Sequence, residues 1–212
     1  MSTFPVGFYR WTYEHGSFNV CFRPQGVFFC EEYPATATWS LTAEALLVDW
    51  NKYGMYEFPL KPDMASLDGH VVGNPEKWRK IEFLRDFTAG EKRLLGDGFG
   101  SAWDFQYEKG HFEVRFQCDG FNHFVCPQYP AHSHWTMNDE TGEILINWGS
   151  YGDYEMRVEE ATGDLVGNKK GQPTNWRRAQ LLRPLTSEDL ASAAAAHDHS
   201  HNHVHSADCK HQ

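Results

Sequence analysis

The chain contains no apolar run approaching the ~20 residues that a membrane-spanning helix needs. Its first residues, MSTFPVGFYRW, lack a basic start followed by an apolar core, so no secretory signal is expected. Basic charge is in short supply: 19 Lys and Arg stand against 29 Asp and Glu, a net charge of −10. A nucleic-acid partner requires a concentrated basic face, and that class is set aside. Cysteine is limited to five, an odd number with no close CxxC pair. Reduced thiols in a cytoplasmic setting are expected rather than a disulfide framework. Nucleophile and phosphate motifs are missing too: there is no G-x-S-x-G, no P-loop and no G-x-G-x-x-G opening a helix. The glycines of DGFGS at 97–101 lack the Lys and helix of a phosphate loop and read as a flexible linker.

What the chain has in excess is aromatic residues, 15% of the total, and it has them twice. VDWNKYGMYE at 48–57 returns as INWGSYGDYE at 146–155. Trp50, Tyr53, Gly54, Tyr56 and Glu57 therefore match Trp148, Tyr151, Gly152, Tyr154 and Glu155, each 98 residues on. Upstream, Phe18, Val20 and Phe22 match Phe112, Val114 and Phe116 at an offset of 94, and Tyr33, Pro34 and Trp39 match Tyr129, Pro130 and Trp135 at 96. Downstream, Gly69, Val72 and Gly73 align with Gly163, Val166 and Gly167, and Trp78-Arg79 with Trp176-Arg177. So many paired Trp, Gly and Pro positions indicate an internal duplication.

Within each copy the apolar period is two. Phe18, Val20 and Phe22 alternate with polar or small neighbours, the signature of a half-buried strand. About five strands per copy are expected, hence an all-β fold of about ten antiparallel strands. Such a sheet avoids exposed edges by closing into one barrel of two five-stranded halves; two small barrels are the alternative. The segments are a first β repeat at 7–85, a linker at 86–102, a second β repeat at 103–185, a short helix at 186–196 and a disordered His-rich tail at 197–212. In the linker, Thr88 caps a helical turn running to Leu95 and Gly96 ends it, forming a plug or lid.

An aromatic-rich antiparallel barrel with Trp11 near its first strand and Arg177 or Arg178 near its last resembles the calycins, the lipocalin and fatty-acid-binding group, over residues 7–185. That resemblance implies an internal cavity for a small apolar ligand.

Several residues are candidates for function. Arg79 and Arg177 recur, as do Glu57 and Glu155. Each Arg either pairs with its own copy's Glu as a structural tie or anchors an acidic ligand. The repeated tryptophans Trp39, Trp50, Trp78, Trp135, Trp148 and Trp176 read first as core filler, with a ligand cage as the other reading. Trp50, Trp148 and Tyr151 are the aromatic ligand-binding candidates.

Residues present in only one copy stand apart, because the fold does not need them twice. His132 and His134 replace Thr36 and Thr38. On a strand, H-x-H puts both imidazoles on one face, about 7 Å apart at Cα. His123 and Cys126 could add ligands for zinc, against the plainer reading of surface histidines. The tail alternates His197, His199, His201, His203 and His205, a composition that binds metal without fixed geometry.

Three functions follow: a binding protein for an apolar or aromatic acidic small molecule, an enzyme at the barrel mouth assisted by metal on His132 and His134, or a scaffold subunit contacting a protein partner.

Overall fold

The computed structural model describes residue 4 and residues 6–138 and 141–190. The fold is all-β, antiparallel and duplicated, as the sequence indicates. Its strand count and closure differ from expectation. The first repeat supplies β1 (Gly7–Tyr13), β2 (Gly16–Phe22), β3 (Phe28–Phe29), β4 (Thr38–Leu41), β5 (Ala45–Asp49), β6 (Met55–Pro59), β7 (Ser66–Val71) and β8 (Asn74–Arg85). The second supplies β9 (Gly100–Tyr107), β10 (Gly110–Gln117), β11 (Phe124–Val125), β12 (His134–Met137), β13 (Ile144–Asn147), β14 (Asp153–Val158), β15 (Leu165–Lys169) and β16 (Gln172–Pro184). The expected single ten-stranded barrel is thus two eight-stranded sheets.

The reason lies in one pairing. Each repeat's first strand lies against its own last strand: Trp11 faces Ile81 across β1 and β8, and Phe105 faces Ala179 across β9 and β16. Each sheet therefore rolls up on itself, in the order β3-β2-β1-β8-β7-β6-β5-β4 and its counterpart. The remaining seam, between the third and fourth strands, is nearly shut by a bridge from Val27 to Thr38 in the first repeat and from His123 to His134 in the second. Each barrel holds its own core, around Trp11, Phe22, Phe28 and Phe58 in one and Trp103, Phe105, Phe116 and Phe124 in the other.

β7 and β15 are strands that alternation does not reveal, because each carries a glycine mid-strand, buried at Gly69 in β7 and half-buried at Gly167 in β15. Gly69 faces Arg79 and Gly167 faces Arg177 in equivalent registers. This corrects the alignment of Gly69 with Gly163 and of Gly73 with Gly167: the structural partner of Gly69 is Gly167, and that of Gly73 is Gly171. Gly73 and Gly171 take left-handed φ values of 79° and 72° in the hairpins that follow. A Cβ on Gly69 would come within 2.3 Å of the Glu57 carbonyl oxygen and 2.4 Å of the Phe58 ring. Gly69→Ala should therefore destabilise the protein by roughly 1–3 kcal/mol through overpacking, read as a lower urea midpoint. A midpoint equal to wild type would mean the two strands can separate at no cost.

The link between repeats forms α1 (Ala89–Leu95). Thr88 and Glu91 make a reciprocal capping box, and Gly96 ends the helix at φ 54°. Leu94 and Leu95 pack into the second core. Gly100 and Ser101, expected in the flexible linker, begin β9 and are buried, since β10 pairs along that segment. Residues 187–190 are helical. The start of that helix is tied by the Asp189 carboxylate, which accepts from Thr186 N–H at 2.8 Å and from both Arg183 guanidinium nitrogens at 2.9 Å. The Thr186 hydroxyl also donates to the Asp189 carboxylate, at 3.1 Å. The rest of the expected helix and the His-rich tail, with His197, His199, His201, His203 and His205, lie outside the described residues. Among the described residues, no helix is long and apolar enough to cross a membrane.

Candidate functional site

The duplicated Trp…Tyr-Gly stretch is a turn that builds the mouth of each barrel. After β5 the chain makes one 3₁₀ turn over Asn51–Tyr53, and Gly54 leaves it at φ 105°. Gly149–Tyr151 and Gly152, at φ 95°, repeat this. Only glycine accepts that backbone cheaply, which explains its place in both copies. The indole N–H of Trp50 donates to the Tyr33 carbonyl and that of Trp148 to the Tyr129 carbonyl, each at 3.2 Å. Tyr56 and Tyr154 donate their hydroxyls to the Tyr53 and Tyr151 carbonyls. The result stands Tyr33 and Tyr53 half out of the first barrel beside Trp50, with Tyr129 and Tyr151 in the same posture beside Trp148.

Arg79 and Arg177 face these mouths. Neither pairs with its repeat's glutamate, so the structural-tie reading is overturned. Strand β7 explains this: it lies between Glu57 on β6 and Arg79 on β8, and Glu57 faces His70. Glu155 meets Lys170 instead, at 3.2 Å. The Arg79 guanidinium lies 5.7 and 5.4 Å from the ring centres of Tyr13 and Tyr56; Arg177 lies 5.6 and 5.1 Å from those of Tyr107 and Tyr154. These are cation–π distances.

The two arginines differ in what else they hold. Arg177 also donates to the Asn175 side chain at 2.5 Å. Among the described residues Arg79 forms no ion pair, and its only hydrogen bond goes to the Trp78 carbonyl, 2.7 Å away. A pocket of about 230 Å³ opens beside it, walled by Tyr13, Phe18, Tyr33, Trp50 and Tyr53.

The structure thus brings Arg79 to the same pocket as Trp50, whereas Arg177 lies over Tyr107 and Tyr154 and is linked to Trp148 and Tyr151 through Tyr154. Tyr13, Phe18 and Tyr33 were missed as wall residues, although their matches in the second repeat were visible. Not every repeated Trp is core. Trp50, Trp135 and Trp148 are buried, but Trp78 and Trp176 are 45% and 46% exposed. They neighbour the inward-facing arginines, so strand alternation turns them outward.

A second cluster lies on the seam of the second barrel. His123, His132 and His134 each offer a ring nitrogen, and these nitrogens lie within 4.8 Å of one another. The Nε2 atoms of His132 and His134 are 3.1 Å apart. Nδ1 of His134 lies 3.0 Å from the Phe121 carbonyl oxygen, and Nδ1 of His123 contacts the Asp119 carboxylate. Burial, then the neighbouring His134 and His123, hold the His132 pKa below its ordinary value and favour the neutral ring. Cys126, also considered as a ligand, does not join this group: its thiol is buried in the second core. Asp119 was missed. Its signal was the change of offset from 94 to 96, which marks a loop two residues longer before His123 than before Val27.

Protein-family models, curated proteins and solved structures were all compared with the chain, and none matches. The nearly closed all-β barrels are compatible with a calycin-like layout, and the comparisons add no family to it.

Proposed function

We propose that the protein binds a small aromatic acid at the mouth of its first barrel. The observation that carries this reading is Arg79. A guanidinium has five N–H donors, and this one spends a single hydrogen bond on its own strand inside an aromatic pocket. A carboxylate would fill the empty side of the fork while the tyrosine and tryptophan walls take the ring. The volume sets the size class. A cavity of about 150 Å³ accommodates benzene, so one of about 230 Å³ suits a single ring with its acid group.

The barrel interiors themselves are filled by Phe and Trp side chains, so the ligand sits at the rim rather than deep inside. A cytoplasmic setting accords with the four described cysteines, which are all buried thiols. Burial pushes Cys21 up to about 12 and Cys118 up to about 11, leaving both unreactive.

Titrating benzoate while following tryptophan fluorescence tests this. Charge-assisted hydrogen bonds contribute about 1.5–3 kcal/mol, so Arg79→Met should weaken binding roughly tenfold or more. Arg177→Met, altering the arginine already held by Asn175, should leave it unchanged. Equal affinity in wild type and Arg79→Met, or no binding by either, would refute the proposal.

A further inference from the structure

We propose that His123, His132 and His134 form a zinc-class metal site with three imidazole ligands and one open coordination position. Zinc–nitrogen bonds of about 2.0–2.1 Å put tetrahedral ligand nitrogens roughly 3.3–3.4 Å apart. His132 and His134 stand 3.1 Å apart already, and the largest separation in the trio, within 4.8 Å, closes with a small ring rotation.

The surrounding contacts orient the rings as ligands. Metal-bound histidines usually give their other nitrogen to a carboxylate or carbonyl, which fixes tautomer and direction. Here Asp119 does this for His123 and the Phe121 carbonyl does it for His134. In both rings Nε2 is then the nitrogen that carries the metal. Imidazole donors suit zinc, copper and nickel rather than magnesium or calcium.

The duplication supplies an internal control. The first repeat closes the same seam with Val27 and Thr38, and Thr36 stands where the second has His132. Closure therefore does not need the histidines, and all three occur only in the second copy. Asp119 sits in the loop that only this copy lengthens. Three protein ligands with a fourth position left for water or an exogenous ligand are the arrangement of reactive rather than purely structural zinc.

The His-rich tail would obscure a simple titration. The experiment uses the full-length chain with His197, His199, His201, His203, His205 and His211 changed to Asn. Calorimetry with zinc should show one equivalent bound, and cobalt should give the visible band of a tetrahedral site. His132→Thr and His134→Thr, which import the first repeat's residues, should abolish both signals with the circular dichroism unchanged. Asp119→Asn should weaken zinc binding by about 10–100-fold. Azide should shift the cobalt band by entering the open position. Absence of zinc binding, or binding indifferent to the two threonine changes, overturns the site. A cobalt band that azide leaves unmoved overturns the open position.

Discussion

Trp11→Ala should be the most damaging single change to the first barrel, costing about 3–5 kcal/mol as a buried large-to-small substitution. Trp11 is 1% exposed. Its ring meets Tyr56 at 4.9 Å, Phe58 at 5.2 Å, Trp50 at 5.5 Å and Phe28 at 5.8 Å, all edge-on. Edge-to-face pairs add about 0.5–1.5 kcal/mol each beyond the area they bury. Loss of the indole thus leaves a void and strips contacts from four rings at once. The second repeat shows what a tolerated change looks like. At the equivalent place it has Phe105, which meets Phe124, Trp148 and Tyr154 in the same edge-on manner. Trp11→Phe should accordingly cost well under the alanine value. Urea unfolding followed by circular dichroism measures both, and an alanine variant within about 1 kcal/mol of wild type would show that this ring is not the centre of its core.

Glu91→Gln comes next, at about 1.5–3 kcal/mol, the range for hydrogen bonds to a charged group, because the Arg85 side chain left behind is 32% exposed and keeps contact with water. The Glu91 side chain is 8% exposed. It accepts two hydrogen bonds from Arg85, at 2.8 and 2.9 Å, and one from the Thr88 backbone N–H at 2.7 Å. It therefore joins the end of β8 to the first turn of α1, which carries Leu94 and Leu95 into the second core. The pH dependence has a defined sign. Burial alone would raise the Glu91 pKa, but the Arg85 and Thr88 hydrogen bonds outweigh it and the carboxyl titrates below its ordinary value. A depressed folded pKa stabilises the protein fully above the unfolded value, near 4.5, and that stabilisation fades as pH falls through the folded value. The stability gap between wild type and Glu91→Gln should be widest at neutral pH and narrow progressively below the unfolded pKa. A gap of constant size down to strong acid would assign the loss to packing and not to charge.

Local signals in the sequence were strong where local geometry decides the structure. Trp50, Tyr53 and Gly54 announce their turn because that backbone needs glycine and its ring needs a partner. Thr88, Glu91 and Gly96 announce α1 by capping chemistry. Buried glycine hides β7, since Gly69 is selected by the approach of the Glu57 carbonyl and removes the alternation by which a strand is read. The choice between one ring and two rests on β1 meeting β8, a contact between residues about seventy positions apart that no short window contains. The histidine group shows both sides of this. His132 and His134 are adjacent on a strand and legible as a pair, and the rarity of their kind in the first copy singles them out. Asp119 acts through a folded loop, so only an inserted length in the alignment hinted at it.

Because each ring of strands begins and ends on adjacent staves, a whole unit enters and leaves at one place on its wall. The polypeptide can therefore lose or gain such a unit without cutting any ladder of backbone hydrogen bonds. Each copy is also at liberty to diverge around its rim while its wall stays the same, as at the seam, where Val27, Thr36 and Thr38 of the first copy are His123, His132 and His134 in the second.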